Sequence, residues 1–447
     1  MDDRRSTLLQ ASLLRLVRRG AWEGARRLIE KSHPADVAQV LDRLTEADRK
    51  QAFDLIGGAE ARSEVVAHLE FGARADLLRE LDSAAAARIV SAMPVDDAAE
   101  TLRELTSEQS DEILAELGES GGEIESLLGY PESTAGAIMS PEFLALSDTS
   151  TVQEAIETLR EKRDVDPSFY VYVIDQRGHL VGVLSLRQLI VQNSHTLLRD
   201  CMMPEPIRVS DAADQEAVAK MVARYDLLAL PVVDAGNKLL GVVTVDDVID
   251  VMQEEATEDI LKMAGTTVEE TAFPGILRGA WIRFPWLAAS FAGGIGGLAL
   301  LSWFEGLLEQ TVALVFFLPL ILAMGGNVGN QCAMVVVRGL ATGRIDRGAV
   351  TRVIIHEVGT GLILASAFGA ALAVFAVVAG FGAALFPLAV GIGIGAAMLI
   401  ASLVGTSLPL LFRRIGVDPA VAAGPFVTTA VDVLGIGVLF LVVELLL

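Results

Sequence analysis

One carboxylate stands in the middle of a long apolar stretch near the end of the chain. Asp432 lies in the run Thr428-Thr-Ala-Val-Asp-Val-Leu-Gly435, among small side chains and hydroxyls that allow close helix approach. An ionised group inside a bilayer costs about 2.5 to 3.5 kcal/mol, so such groups usually face a pore or a water-filled cavity. An acid that served packing alone would need an arginine at the same depth, and the nearby arginines all lie close to the ends of apolar stretches. Asp432 is therefore the first candidate for binding an ion.

A second polar segment at bilayer depth is the run Met324-Gly-Gly-Asn-Val-Gly-Asn-Gln331. Its glycines permit a bend or local unwinding, and backbone carbonyls freed in this way are tolerated where they line water. Asn327 and Asn330 are the candidate ion ligands of this segment.

Glu357 is another acid in an apolar stretch, and it follows His356. A His-Glu pair begins the His-Glu-x-x-His motif of zinc peptidases, but Thr360 stands where the second histidine is required, so that motif is absent. Two roles stay open for Glu357: a hydrogen bond or ion pair to Arg338 or Arg352, and a part in ion conduction.

A stripe of acids runs along one predicted helix. Asp247, Asp250, Glu254 and Glu258 recur at spacings of three and four, and apolar residues recur in the same way on another face. Carboxylates so spaced repel one another by roughly a few tenths of a kcal/mol per pair. A solvated helix face is the plain interpretation. The helix leads directly towards the first apolar stretch, however, and further acids lie on the N-terminal region.

Two acidic surfaces without matching lysines can close only if cations lie between them, and hard divalent cations take carboxylate oxygens. The sequence therefore predicts a sensor of cytosolic divalent ions. Its predicted members are Glu64, Asp96, Asp97, Glu100, Asp214, Glu216, Asp226, Asp246, Asp247, Asp250, Glu254, Glu255, Glu258, Asp259 and Asp418.

The formal charge of −23 is confined to the first part of the chain. From Trp281 to Leu447, seven acids are balanced by seven arginines, and this region contains long stretches with few or no charges. Each stretch is long enough to cross about 30 Å of hydrocarbon as a helix. We predict five membrane helices, within residues 286–304, 311–337, 359–385, 389–412 and 419–443.

Arginines near these helices predict their orientation, because cytoplasmic loops are rich in arginine and lysine. They place the N-terminus and the acidic region in the cytoplasm and the C-terminus outside, in a multi-pass protein of the cell membrane. No apolar signal segment is found in the first thirty residues, and Cys201 and Cys332 form no plausible disulfide, which fits a reducing compartment. The arginines concerned are Arg278, Arg283, Arg338, Arg344, Arg347, Arg352, Arg413 and Arg414.

Short amphipathic helices with an approximate repeat are predicted at the N-terminus. The repeat is seen in Leu41-Asp-Arg-Leu-Thr45, Leu78-Arg-Glu-Leu-Asp82 and Leu102-Arg-Glu-Leu-Thr106. Such units bury their apolar faces by stacking on neighbours, which predicts an all-α superhelix. The predicted domains are 1–130 for this N-domain, 131–256 for a repeated strand-containing region, 246–275 for the acidic helix and linker, and 276–447 for the membrane domain.

The repeated region resembles a tandem pair of CBS domains. Each copy has a Ser-Asp entry, an amphipathic helix and two strands joined by a turn, as in Val171-Tyr-Val-Ile-Asp175 followed by Leu180-Val-Gly-Val-Leu184. CBS pairs often bind adenine nucleotides through Gly-x-x-Ser/Thr-x-x-Asp, which implies a nucleotide such as ATP. The alternative is that these residues cap the following helix. The implied nucleotide-binding residues are Gly241, Thr244 and Asp247 of the second copy, with Arg187 of the first, whose own motif ends in Gln188.

Together with Asp418-Pro-Ala-Val-Ala-Ala-Gly-Pro425, these segments resemble the MgtE family of magnesium channels and transporters over essentially the full chain. The resemblance implies a homodimer in the lipid bilayer, with a pore on the two-fold axis lined by the second and fifth membrane helices. Asp432 of each chain would hold a hydrated Mg2+ ion, Asn327 and Asn330 would offer amides or carbonyls, and Gly435 would let the last helices approach. Two positions depart from the family pattern: Val328, where threonine is common, and Ala423, where serine is common.

The predicted fold is multidomain, with an all-α superhelical N-domain, an α/β tandem CBS pair and an all-α membrane domain of five transmembrane helices. The expected function is Mg2+ uptake down its electrochemical gradient, with no enzymatic activity and no nucleic-acid partner. Cytosolic Mg2+ bound between the acidic surfaces would hold the pore closed, and repulsion between bare carboxylates would open it. The alternatives are a CBS-regulated transporter of Mn2+, Co2+ or Ca2+, a CBS-regulated anion channel, and a nucleotide-sensing membrane scaffold.

Overall fold

The computed structural model describes residues 3–161, 170–267, 275–345, 348–381 and 385–447, except for the side chains of residues 3–6 and of residue 119. The chain divides into two compact units, Met1–Gln253 and Glu254–Leu447. Arg347, used above to predict orientation, lies outside the described residues.

The first unit begins with a superhelix of short helices, as the repeat predicts. The last residue of each repeat caps the next helix: the backbone N–H of Asp48 donates to Thr45 Oγ1 (3.3 Å), that of Ala85 to Asp82 Oδ1 (2.5 Å) and that of Gln109 to Thr106 Oγ1 (3.4 Å). Such caps satisfy backbone N–H groups that a helix start leaves without partners. The helices are α1 (Asp3–Arg18), α2 (Trp22–Ile29), α3 (Pro34–Asp42), α4 (Glu46–Asp54), α5 (Ala59–Ala67), α6 (Phe71–Arg79), α7 (Ser83–Val90), α8 (Val95–Arg103), α9 (Ser107–Leu117) and α10 (Gly121–Leu128).

Two small sheets follow, one for each CBS copy, and this part of the predicted fold is confirmed. In each copy the entry strand pairs in parallel with the second strand, which pairs antiparallel with the third. The first copy contains β1 (Ala145–Ser147), α11 (Val152–Glu161), β2 (Tyr170–Ile174), β3 (Leu180–Ser185), α12 (Leu186–Val191), α13 (Leu198–Cys201) and β4 (Met203–Pro204). The second contains β5 (Val209–Ser210), α14 (Gln215–Tyr225), β6 (Ala229–Val233), β7 (Leu239–Thr244) and the start of α15 (Val245–Ala264).

The superhelix and the second CBS copy share one apolar core. Buried side chains from Leu13 to Leu127 are continuous with Val218, Leu230 and Val243 of the second copy. Arg103 of α8 reinforces this junction, because its guanidinium donates to the backbone carbonyls of Leu127 (2.6 Å) and Ala137 (2.9 Å). The first turn of α8 lies beside the first turn of α15, because residues of both line one cavity.

The second unit holds five helices long and apolar enough to cross a membrane. The third begins well before the predicted residue 359 and so includes His356 and Glu357. The membrane helices are α16 (Ile276–Trp303), α18 (Leu318–Ala341), α19 (Val350–Val378), α20 (Phe386–Arg414) and a last, interrupted span of α21 (Pro419–Val421) and α22 (Val427–Leu446), with the short α17 (Glu305–Gln310) after α16.

Glycines set how closely these helices pack, because small residues let helix backbones approach inside a membrane. A Cβ atom on Gly405 of α20 would lie 2.1 Å from the carbonyl oxygen of Gly329 of α18. A Cβ on Gly361 of α19 would lie 2.6 Å from Ser402 of α20. Helix α20 is therefore in tight contact with both α18 and α19.

The last span is interrupted immediately before α22. Ala423 and Gly424 have non-helical backbone angles, and Gly424 has φ +85°. A Cβ on Gly424 would lie 2.3 Å from the carbonyl oxygen of Met263, near the end of α15. This position combines left-handed backbone with close contact to α15, and glycine meets both requirements.

Candidate ion-binding sites

The polar groups predicted for a pore lie at the contact between α18 and α22. Asn330 Nδ2 donates to Thr428 Oγ1 (3.2 Å), which joins the two helices. Asp432 is one helical turn beyond Thr428 on the same side of α22. It is half-buried, and none of the ion pairs among the described residues includes it. The carboxylate is thus held next to a fixed polar contact with no arginine partner.

The other candidate pore residues differ in exposure. Asn327 is exposed, whereas the next two residues of α18, Val328 and Gly329, are buried. Gly435 is buried, and a Cβ there would meet only Ala397 at 3.8 Å, an ordinary contact. The two departures from the family pattern, Val328 (5% exposed) and Ala423 (0%), both lie in the protein core. Their side chains therefore belong to packing within this chain.

Glu357 is buried between α18, α19 and α20. Its carboxylate lies 3.2 Å from Nδ1 of His356, and among the described residues neither Arg338 nor Arg352 forms an ion pair with it. Ser402 Oγ donates to the backbone carbonyl of Glu357 (2.9 Å), and Cys332 Sγ lies 3.5 Å from the same hydroxyl. Glu357 lies on α19, a helix other than α18 and α22.

Four of the predicted sensor acids line one cavity in the first unit. Asp96 and Asp97 come from the first turn of α8, and Asp246 and Asp247 come from the first turn of α15. The cavity has a volume of about 70 Å³, enough for several waters. Both helix N-termini favour nearby negative charge, but the four carboxylates still repel one another.

Asp247 is the most perturbed of these acids. Burial, followed by the charge of Asp96, raises its pKa to about 8, although hydrogen bonds from Thr244 act in the opposite direction. Thr244 Oγ1 donates to Asp247 Oδ2 (2.5 Å). At neutral pH a proton therefore competes for this carboxylate in the absence of a cation.

Next to the cavity, Asp250 of α15 lies close enough to Glu100 to be influenced by it. Burial, with Glu100 and Asp246, raises the pKa of Asp250. Arg74 of α6 partly offsets this acidity, since its guanidinium bonds to Glu100 (2.5 Å) and to the buried Glu104. Sequence analysis missed Arg74, because nothing in its local pattern shows that α6 packs against α8.

The remaining sensor candidates of the first unit are dispersed. Glu64 is exposed on α5, Asp226 ends α14 in left-handed conformation, and Asp214 caps α14 by accepting from Glu216 N–H (2.9 Å). Glu216 pairs with Lys220 at 2.7 Å. Within the described parts of the chain, no three His, Cys, Asp or Glu residues converge closely enough to hold a metal ion. The acids therefore form no preassembled coordination shell in this conformation.

A lysine occupies the acidic site near the end of α15. Lys262 Nζ lies 2.5 Å from Glu258 Oε1 and 2.7 Å from Asp418 Oδ2. Asp418 also caps α21, because its Oδ1 accepts from the N–H of Ala420 (2.8 Å). The other acids of this stretch, Glu254, Glu255 and Asp259, lie along the same helix.

The cavities beside the nucleotide-binding motifs of the two CBS copies differ in size. Tyr170, Ser185, Arg187 and Gln188 of the first copy line an open cavity of about 370 Å³, within the usual range for small-molecule sites. In that copy Ser185 and Gln188 also form a capping box for α12. Thr244 and Asp247 of the second copy line the 70 Å³ acidic cavity instead. Gly241 is buried, since a Cβ there would lie 2.7 Å from Ser140 O.

Three family models match the chain along its length. A model described as a divalent cation transporter matches residues 318–442, one described as the MgtE intracellular N domain matches residues 32–133, and a CBS domain model matches residues 135–192 and 198–254. The magnesium transporter MgtE of Thermus thermophilus is 37% identical over 452 residues, which cover 98% of each chain. The chain belongs to the MgtE family.

Other MgtE relatives agree with this membership. The magnesium transporter MgtE of Bacillus subtilis is 31% identical over 95% of this chain and 94% of its own. A solved structure of the soluble part of a magnesium transporter matches with 36% identity and a TM-score of 0.50 over 56% of this chain and 99% of its own. The cytosolic domain of the Mg2+ channel MgtE in complex with ATP matches with 34% identity and a TM-score of 0.51, over 54% and 99%. The predicted family and fold are thus confirmed, and the relatives are membrane transporters of magnesium.

Proposed function

We propose that this protein is a Mg2+ channel or transporter that admits Mg2+ down its electrochemical gradient, with Asp432 as the ion-binding residue of the pore. The observation that carries this proposal is the half-buried Asp432, one turn from the Asn330–Thr428 contact between α18 and α22. Mg2+ gives up its waters reluctantly, so carboxylates and amides can hold the hydrated ion without stripping it.

A homodimer would complete this site. One carboxylate neutralises half the charge of Mg2+, so two copies of Asp432 facing each other on a two-fold axis balance it. Asn327, exposed on α18, would face the same path. The N-terminus and the CBS pair would lie in the cytoplasm and Leu447 outside. This orientation is supported by Arg338, Arg413 and Arg414 in the last turns of α18 and α20 and by Arg344 just after α18.

Closure by cytosolic Mg2+ follows from the acidic cavity of the first unit. The carboxylates of Asp96, Asp97, Asp246 and Asp247 line a space of about 70 Å³, where burial and mutual repulsion leave Asp247 prone to protonation. A divalent cation there relieves the repulsion and holds α8 against α15. The linkage requires that Mg2+ bind the closed state more tightly than the open one.

The proposal is tested by Mg2+ flux into proteoliposomes. Asp432→Asn should reduce flux at least about 10-fold, because it removes the charge that meets the ion while keeping the size of the side chain. Glu444→Gln is the matched control, since it removes an exposed acid further along α22. Equal flux by wild type and Asp432→Asn would rule out this pore site.

Two further points belong to the same proposal. Transport of Mn2+, Co2+ or Ca2+ is the alternative, and the same flux assay with each ion decides between them.

An adenine nucleotide such as ATP would bind the 370 Å³ cleft of the first CBS copy, where Arg187 supplies a cation for phosphate. Loss of ATP binding in Arg187→Ala, measured by calorimetry, is the expected result.

A further inference from the structure

The acidic cavity is also lined by Tyr172, together with a fifth carboxylate, Glu142. Tyr172 lies in the middle of β2 of the first CBS copy and lines the same cavity as the four carboxylates. It is 2% exposed, and its hydroxyl has no hydrogen-bond partner among the residues that the structure describes. The ring packs edge-on against Phe143, and the backbone N–H donates to Leu144 O (2.9 Å). The side chain is therefore fixed while its polar end lacks a protein partner.

An unpartnered buried hydroxyl destabilises a fold, and native proteins rarely keep one unless water, an ion or a ligand supplies the partner. Phenylalanine would fill the same volume without this defect. Burial, with a smaller contribution from Tyr170, raises the pKa of Tyr172, so the hydroxyl keeps its proton. It can then donate one hydrogen bond and accept another.

The cavity suits a cation that keeps its water. Since no three acids among the described residues converge to form a direct coordination shell, an ion at this place would be held largely through bound waters, as Mg2+ prefers. A water bound to such an ion can donate a hydrogen bond to the oxygen of Tyr172. The carboxylates that line the cavity more than offset the charge of a divalent ion, and the tyrosine adds a neutral contact from another element.

We propose that Tyr172 is a positioning residue of the cytosolic sensor, whose hydroxyl bonds to the water shell of a divalent cation held among Asp96, Asp97, Asp246 and Asp247. This inference rests on the proposed sensor function. Its consequence is that one ion joins three elements: the N-domain through α8, the second CBS copy through α15, and the first CBS copy through β2. Binding of the ion is thereby coupled to the first CBS copy, which also contributes Glu142 to the lining of the cavity.

The test follows amide hydrogen exchange of α8 in the full chain, reconstituted in lipid nanodiscs, as the concentration of Mg2+ is raised. Tyr172→Phe removes one oxygen and keeps the ring. The Mg2+ concentration at half-maximal protection should rise about 10-fold, the effect typical of losing an outer-shell partner. Without Mg2+, the α8 peptides of Tyr172→Phe should exchange as slowly as those of wild type or more slowly, because the substitution removes the unpartnered buried hydroxyl. Tyr225→Phe, an exposed site on α14, is the matched control and should titrate like wild type.

A third variant, Asp247→Asn, separates this inference from the sensor itself. If Asp247→Asn loses the Mg2+ response while Tyr172→Phe titrates like wild type, the sensor stands and the role of Tyr172 is overturned. If Tyr172→Phe exchanges faster without Mg2+, the hydroxyl is structural and the inference also fails. A wild-type chain with no Mg2+-dependent protection of α8 would overturn the sensor and, with it, this role.

Discussion

Lys262 Nζ lies 2.7 Å from Asp418 Oδ2 and thereby joins α15 to the segment that begins the last membrane span. Glu258, one turn earlier on α15, binds the same ammonium. Although burial lowers the pKa of Lys262, its hydrogen bonds to Asp418 and Glu258 outweigh this and raise it, so the ammonium stays charged. An internal cation thus occupies a place where sequence analysis predicted a metal ion.

Replacing Lys262 by methionine tests whether this ammonium competes with Mg2+. Removal of the charge leaves Glu258 and Asp418 available to a divalent ion, so cytosolic Mg2+ should inhibit flux at a concentration about two- to fivefold lower, in keeping with the strength of a partly exposed ion pair. Inhibition is measured in proteoliposomes loaded with graded Mg2+. Lys50→Met, which removes a comparable pair with Glu80 in the N-domain, should leave the midpoint unchanged. A higher midpoint in Lys262→Met would show that the lysine acts as a strut for closure instead.

The raised pKa of Asp247 predicts a pH dependence of Mg2+ sensing. The pKa of Asp247 is about 8 in the folded chain, against an ordinary value of 3.8. Between pH 3.8 and pH 8 the folded state therefore binds a proton at Asp247 that the unfolded state does not bind. The proton's contribution to stability is lost as pH rises towards 8. Mg2+ must displace this proton, and its apparent affinity should increase by up to about tenfold per pH unit below pH 8 and then level off. Mg2+ titrations of α8 hydrogen exchange between pH 6.5 and 8.5 measure this, and a pH-independent affinity over that range would contradict the prediction.

Arg74 is expected to be a major stabilising residue of the N-domain. Its guanidinium bonds to the buried Glu104 and to Glu100, and removing one partner of a buried ion pair costs about 3 to 5 kcal/mol. Arg74→Met should lower the free energy of opening of α8, from native-state hydrogen exchange, by about that amount. Arg79→Met, which breaks a more exposed pair with Asp76, should cost less than about 1 kcal/mol. Similar effects of the two substitutions would contradict this prediction.

Two glycine-to-alanine substitutions test the packing of the membrane helices. A methyl group at Gly405 would lie 2.1 Å from Gly329 O, so Gly405→Ala should force α18 and α20 apart and reduce both thermal stability and flux. Gly359→Ala in α19 meets no atom within 4 Å and should be neutral or stabilise by up to about 1 kcal/mol. Melting temperature in detergent and flux in liposomes report the two effects.

Local patterns were sufficient to predict much of the fold. Periodicity identified the superhelix and the CBS strands, and the repeat ending in Thr45, Asp82 and Thr106 could be recognised because each cap is a short-range interaction. The membrane helices followed from length and hydropathy. The interruption at Gly424 was harder to predict, because it depends on contact with Met263, which is distant in sequence.

Long-range contacts explain what sequence analysis missed at the candidate sites. The acids of α8 and α15 were recognised by composition, but Arg74, Lys262 and Tyr172 acquire their roles only when separate elements come together. Tyr172 in particular is an ordinary strand residue in the sequence, and its hydroxyl becomes notable only because folding leaves it buried with no partner among the residues that the structure describes.

Helix α16 has almost no protein around it. Along its described length Gly297 is the one buried residue, while a Cβ on Gly293 would lie 1.8 Å from Thr429 Cγ2. Helix α16 therefore contacts α22 through a narrow strip of residues. Lipid acyl chains or a neighbouring protein molecule must cover most of the rest of its surface. We therefore expect short-chain detergents to displace α16 before they disturb the rest of the membrane unit.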